Sequence, residues 1–410
     1  MTIRSLHMAL GASSLALCAL LPPIALSSTA GADPALPNQD EAAEEEKPIE
    51  LDTFSCHVLE GQNVAIVTTT NGLIRRVELD SLEATAEARE HVGPESWVLV
   101  REVEGGRLVT LDFEGRGYVR SSKTLKPVGR FSVGVGYGAA AFHPAGKSIA
   151  RVRNRREIAV GMLSEAPTDP VVLKCAGDVK DIRYSSDGKQ LVALLENGYH
   201  FIEKGKLGEL ITLPVGFEAR MVEFIGDKKL AVGSGNGDPE APVEVLIVDA
   251  KTGTWQRVIE APYQAAPLGG IVSSLRFHPE SGRLVFGISS AGSVLAVDPD
   301  TGEFLWDINF GGGNPGGIGV VHPKGSKRCF SHGMTAQHRA AFSWDTGKRL
   351  SADRLHGFSF VSGTADDRMT IGVQHGRLIL VDSETYASVL RRVEYANPLA
   401  GSVAVFSGGR

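Results

Sequence analysis

Few groups of side chains in this chain of 410 residues have both the type and the spacing that chemistry needs. The densest is basic: Arg151, Arg153, Arg155 and Arg156 in SIARVRNRREIAV. Arg151 and Arg153 alternate with Val152, so on a strand both project from one face, and the four straddle a turn at Asn154-Arg155. Such a patch holds a carboxylate, a phosphate or an acidic partner through paired N–H donors. The competing reading, arginines paired to a neighbouring element or merely solvated, is the commoner fate of surface charge.

Other groupings are weaker. His332, Met334 and His338 in SHGMTAQH carry imidazole and thioether, which suit copper or zinc, but no third strong ligand stands near them. Asn236, Asp238 and Glu240 in GSGNGDPEAP alternate as calcium ligands can, without the rest of a calcium loop. The run from Gly311 to Gly316 satisfies G-x-G-x-x-G, yet the residues after it, GIGVVHP, read as a strand where a phosphate site needs a helix. His143, His278 and His322 all precede proline at equivalent points of a repeat, which marks a turn position rather than a catalytic one. No nucleophile with its base and no paired carboxylates occur as a motif. We therefore expect no catalytic, cofactor-binding or metal-binding residue and no cofactor, and retain only the four arginines as an anion or partner patch.

Composition narrows the partner classes. The formal charge is −6, from 42 basic and 48 acidic side chains, which argues against nucleic acid. The N-terminus reads as a cleaved signal peptide over residues 1–32, with Arg4, an apolar stretch interrupted by Pro22-Pro23, and Ala30-Gly31-Ala32 as the cleavage site. A retained membrane anchor is the less favoured alternative, as is lipid attachment at Cys18, because Leu17 is not small. Residues 33–50 are rich in Ala, Pro and Glu and form an acidic linker. Cys56, Cys175 and Cys329 are too few for a disulfide framework, and each suits a small buried position. The expected location is periplasmic or secreted.

What must position any site is a repeat over residues 51–410. FHPAGKSIA begins at Phe142, YSSDGKQLVA at Tyr184, FIGDKKLAV at Phe224, FHPESGRLVFG at Phe277 and VHPKGSKRCFS at Val321. A second element, an apolar strand, a polar turn and another strand, recurs as LIRRVELDSLEAT, GYVRSSKTLKPV, VEVLIVDAKTGTW, SVLAVDPDTGEFLW, AAFSWDTGKRL and RLILVDSETYASV. Two looser copies, EIAVGMLSEAPTDPVVL and YHFIEKGKLGELITL, fill the middle. A period of roughly 40 to 50 residues marks a β-propeller, since a four-stranded sheet buries both faces only between like neighbours. We expect an all-β chain: one propeller of eight blades, or seven, closed by pairing of Val403 to Ser407 with the strand at Asn63 to Thr69. Thr53 to His57 competes for that seat. Asp249 to Gly253 and Asp298 to Gly302 are expected to turn the hairpins between outer strands.

FHPAGKSIA, YSSDGKQLVA, FHPESGRLVFG and FSWDTGK resemble units of the WD-repeat propeller superfamily, although only Trp344-Asp345 stands where that family has its Trp-Asp pair. The stretch SVLAVDPDTGEFLWDINF is similar to repeats of the quinoprotein-like propellers, which include pyrroloquinoline quinone dehydrogenases and non-catalytic envelope scaffolds. The dehydrogenases' adjacent cysteines have no counterpart here. The resemblance implies a rigid ring that displays loops, and we expect an exported, non-catalytic platform for another protein. The alternative is a propeller enzyme, lactonase-like or quinoprotein-like, with a small-molecule site in the central channel. Titratable side chains converging there would favour the alternative.

Overall fold

The chain is described by a computed structural model. It covers residues 53–393 apart from short segments, the longest being 90–97, 263–269 and 311–317. The leader and linker expected at 1–50 and the C-terminal segment after 393 therefore lie outside the described residues, and no helix among those described is long and apolar enough to cross a membrane.

The repeats fold into antiparallel sheets, each a meander of strands in sequence order. The architecture is a β-propeller with seven blades of four strands, at 53–88, 98–132, 140–174, 179–212, 219–260, 272–309 and 360–393, together with a three-stranded sheet at 318–343. We number these sheets one to eight along the chain, the three-stranded one being the seventh. First strands of successive sheets lie against one another, so they line the axis of the ring. Burial follows the radius. The second strand of sheet four, Leu191–Leu195, is buried throughout, whereas its fourth, Lys206–Thr212, alternates between exposed and half-buried. Central strands are consequently near-continuous Val, Leu, Ile and Ala, because both faces meet another sheet.

The core lies between sheets. Phe142, Ile149 and Ala159 of sheet three pack on Leu99, Val109 and Phe131 of sheet two. Phe224, Leu230 and Leu246 of sheet five pack on Val192, Leu194 and Tyr199 of sheet four. Cys56, Ala65 and Val67 of sheet one share a cluster with Ile371, Val373, Leu378 and Leu380 of sheet eight, at opposite ends of the chain.

The expected hairpin chemistry is present. Asp298 Oδ1 accepts from the backbone amides of Asp300 at 2.8 Å and Thr301 at 3.0 Å, and Gly302 closes the turn at φ 78°. The Thr301 amide, more than any other group, holds the Asp298 carboxyl below the usual carboxylate range. Asp298→Ala is expected to lower stability by about 1 kcal/mol, read as a shift in the urea midpoint. The strand seating expected at the ring's seam is corrected. Val64–Thr69 has Thr53–Val58 on one edge and Ile74–Glu78 on the other, leaving no edge there for the segment Val403 to Ser407, which itself lies outside the described residues. A short local hairpin through Gly61, at φ 65°, claims that edge before a distant segment can.

Candidate functional site: charged side chains on the ring axis

In the first strands of sheets four, five and six a charged residue immediately precedes an aromatic one: Arg183-Tyr184, Glu223-Phe224 and Arg276-Phe277. Strand alternation separates the pair. Tyr184, Phe224 and Phe277 pack against the preceding sheet, in the clusters of sheets three and four, four and five, and five and six. The charged residue therefore turns the other way. Arg276 Nη1 lies 3.3 Å from Glu223 Oε2, and Arg183 Nε lies 3.9 Å from the same oxygen, so Glu223 bridges the arginines of the sheets on either side.

The arrangement is fastened from behind. Asp181, fully buried, stands beside a bulge in the first strand of sheet four. Its Oδ1 accepts from the Ile182 amide at 2.8 Å and lies 3.2 Å from Arg183 Nη1, while Oδ2 accepts from the Val222 amide of sheet five at 3.1 Å. Arg183 Nη1 also donates to Ile182 O at 3.1 Å, and Arg276 Nη1 to Leu275 O at 2.8 Å.

A third guanidinium enters from across the ring. Arg101, on Val98–Val103 of sheet two, interacts electrostatically with Arg276, Arg183 and Glu223. Burial first, then repulsion by Arg276 and Arg183, brings its pKa down to about 10. The same two causes, burial and then Arg183, lower that of Arg276. On the first strands of sheets one and two, His57 Nε2 lies 3.9 Å from Glu102 Oε2, giving a smaller pair. Three guanidiniums with two carboxylates on a half-buried axis can bind and orient an anion.

The residues singled out in the sequence fall elsewhere. Arg151 is buried, donating through Nη1 to Asp112 O at 3.0 Å and through Nη2 to Gly136 O. Arg153, Arg155 and Arg156 are exposed, and the last two face Asp178, at 3.9 and 3.2 Å. Arg151 and Arg153 thus differ in exposure, although both side chains lie beside the loop at Gly134 and Gly136, and the hairpin turns at Arg155-Arg156 rather than Asn154-Arg155. Met334 and His338, the Asn236 to Glu240 loop and the Gly311 to Gly316 loop lie outside the described residues, and His332 is placed only as backbone of Arg328–Gly333. Among the described residues no group of three His, Cys, Asp or Glu could hold a metal.

The three histidines before proline occupy seams between sheets. His143 Nδ1 accepts from the Ala145 amide at 3.0 Å, and its ring lies against Tyr184 of the next sheet. His278 of sheet six and His322 of sheet seven meet on Trp344, His322 stacked at 4.0 Å and His278 edge-on at 4.5 Å. Cys56, Cys175 and Cys329 are free, buried thiols. Burial pushes Cys175 up to about 11 and raises Cys56 and Cys329 as well, which keeps all three protonated and inert.

The axial charges had a sequence signal: one position before the repeat's aromatic, charged in three units and apolar at Ala141 and Val320. Arg101 holds that same position, paired with Val109 as Arg183 is with Val192 and Glu223 with Ala231, but Glu102 stands where the other units have their aromatic, so the signal was hidden in its unit.

The chain matches no family model and no curated protein. Its likenesses are to solved propellers. Dihydro-heme d1 dehydrogenase NirN, in complex with DHE, is 15% identical with a TM-score of 0.58 over 89% of this chain and 77% of that one. Hydrazine synthase of Kuenenia stuttgartiensis is 16% identical with a TM-score of 0.52 over 74% of this chain and 99% of that one. The β-propeller domain of Cps50 (Swd1) of Myceliophteria thermophila is 10% identical with a TM-score of 0.51 over 71% and 95%. At these identities the likeness is one of fold alone.

Proposed function

We propose that this chain is an exported, closed propeller of eight blades whose axial channel binds a small molecule. The convergence of Arg101, Arg183, Glu223 and Arg276 from four different sheets carries this reading. A ring that needed only rigidity would fill its inner strands with small apolar side chains, since charges drawn out of water cost stability unless they serve a ligand or one another. Enzymes stand beside WD-type domains among the solved propellers of similar shape, and that mixture leaves the choice to the channel itself. Binding rather than catalysis is favoured, because the described channel residues bring no nucleophile and base together.

The count of eight takes sheet seven as a blade whose fourth strand has shrunk to one bridge, Phe342 with Arg349. Closure rests on the cluster shared by sheets one and eight. Export rests on the N-terminal sequence.

A platform for another protein is the second reading. The exposed apolar side chains of outer strands favour it, notably Trp255 at 57% and the adjacent Val171 and Val172 at 44% each. Native mass spectrometry of the mature protein taken from its own host separates the two. The expected result is the chain, with residues 1–32 removed, carrying one small molecule in stoichiometric amount. A chain free of small ligand but bound to another polypeptide would retire the channel site in favour of the platform.

A further inference from the structure

We infer that the molecule bound in the channel presents a carboxylate or phosphate group, seated between Arg101 and the Nε–Nη2 edge of Arg183. This inference rests on the channel reading above and names the chemistry of its ligand.

The hydrogen bonds of the axis point to an anion. Arg183 commits one nitrogen, Nη1, to Asp181 and the Ile182 carbonyl. Its Nε and Nη2 are buried and have no hydrogen-bond partner among the described residues. Those two nitrogens form one of the parallel donor edges of a guanidinium, and their spacing matches two oxygens of a carboxylate or phosphate. Buried donors on a charged group are seldom left unmade, because each forfeits a bond to water. Glu223 faces that edge as an ion pair, 3.9 Å from Nε, but makes no hydrogen bond to it. Its Oε1 accepts from the Phe224 amide at 3.2 Å, and its Oε2 approaches Arg276 more closely than Arg183.

Arg101 is the second half of the seat. Among the described residues it makes no hydrogen bond or ion pair, yet it faces two other guanidiniums and one carboxylate across the axis. Holding a half-buried guanidinium against two like charges is unfavourable unless a negative group joins them. Among the described residues the charges show the same deficit: Arg101, Arg183 and Arg276 stand against Asp181 and Glu223, an excess of one positive charge. A cation would add to that excess, and a neutral ligand would leave it in place. An oxyanion balances it.

Isothermal titration calorimetry on the mature full-length protein, in low-chloride buffer, tests this with sodium succinate and inorganic phosphate as separate probes. Wild type is expected to bind at least one of them saturably with a stoichiometry of one, and the probe that binds tighter tells carboxylate from phosphate. Arg101→Gln is expected to weaken that binding by at least tenfold while the unliganded melting temperature does not fall, since Arg101 makes no bond that holds the fold and its charge is repelled by two others. Glu223→Gln is expected to strengthen binding several-fold by removing a competing carboxylate; a Glu223 of structural importance alone would not change affinity in that direction. Arg101→Gln binding either probe as wild type does, or wild type binding neither, overturns the inference. The channel reading fails separately: if protein from the host carries a neutral small molecule, the channel stands and the oxyanion falls, whereas absence of any small molecule removes both.

Discussion

Asp181→Ala is expected to destabilise the propeller by about 3–5 kcal/mol, the range seen when one partner of a buried charge pair is removed. The carboxylate is fully buried and performs three tasks at once. It accepts from the Ile182 amide within its own strand, accepts from the Val222 amide of the next sheet, and faces Arg183 at 3.2 Å. Alanine leaves two backbone donors without that acceptor and strands a guanidinium that already has two unsatisfied nitrogens. Urea midpoints measure the loss. Asp181→Asn, which keeps the size and one acceptor oxygen, is expected to cost less than alanine. The double variant Asp181→Ala with Arg183→Leu is expected to be more stable than the sum of the single losses, because it removes the stranded charge together with its partner. Strict additivity would mean that the pair does not act as a unit and that the channel charges are not fastened through Asp181.

The parts of this molecule that were legible in the sequence are those that recur. Each unit must turn its outer hairpin with the same backbone geometry, so Asp249-x-x-x-Gly253 and Asp298-x-x-x-Gly302 announce themselves, and both close hairpins as expected. Each unit must also plug its seam with an aromatic or large apolar residue, which makes Phe142, Tyr184, Phe224 and Phe277 visible as a series. A binding site is hard to read for the opposite reason. It consists of what differs between units, so the search for sameness passes over Arg183, Glu223 and Arg276, although they share one position of the repeat. Arg101 shares that position too, but the residue after it is Glu102 rather than an aromatic, so nothing in its unit marks the register. The four arginines of the sequence patch differ in exposure, which spacing alone does not tell: Arg151 is buried and donates to the Asp112 carbonyl, whereas Arg153, Arg155 and Arg156 are exposed. The seam of the ring is not legible because the repeat's period says nothing of which strand of a unit comes first, a matter decided by the local hairpin at Gly61.

Acidification is expected to loosen the seam between sheets six and seven, with His278 as the group responsible. Burial, followed by the neighbouring His322, Arg276 and Arg283, brings its pKa down to about 3, from an ordinary value of 6.5. Its Nε2 is buried and has no hydrogen-bond partner among the described residues, and its ring lies edge-on to Trp344 at 4.5 Å. A proton added there would place a third positive charge beside two arginines in an aromatic seam. In the unfolded chain the same imidazole takes up its proton as the pH falls through 6.5. Between pH 6.5 and about 3 the unfolded state therefore holds a proton that the folded state lacks, and stability is present in full above 6.5 and declines below it. One pKa unit corresponds to about 1.4 kcal/mol, so the loss from about pH 7.5 to about pH 5 is about 2 kcal/mol from this residue. His143, whose pKa burial also lowers, contributes in the same direction. Urea midpoints at about pH 7.5, 6 and 5 for wild type and His278→Phe are the check. Phenylalanine keeps the contact with Trp344 and cannot titrate, so the variant is expected to retain about 2 kcal/mol more of its stability on going from about pH 7.5 to about pH 5. Parallel losses in the two proteins would place the acid sensitivity elsewhere in the ring, with the carboxylates of the axis next in line for substitution.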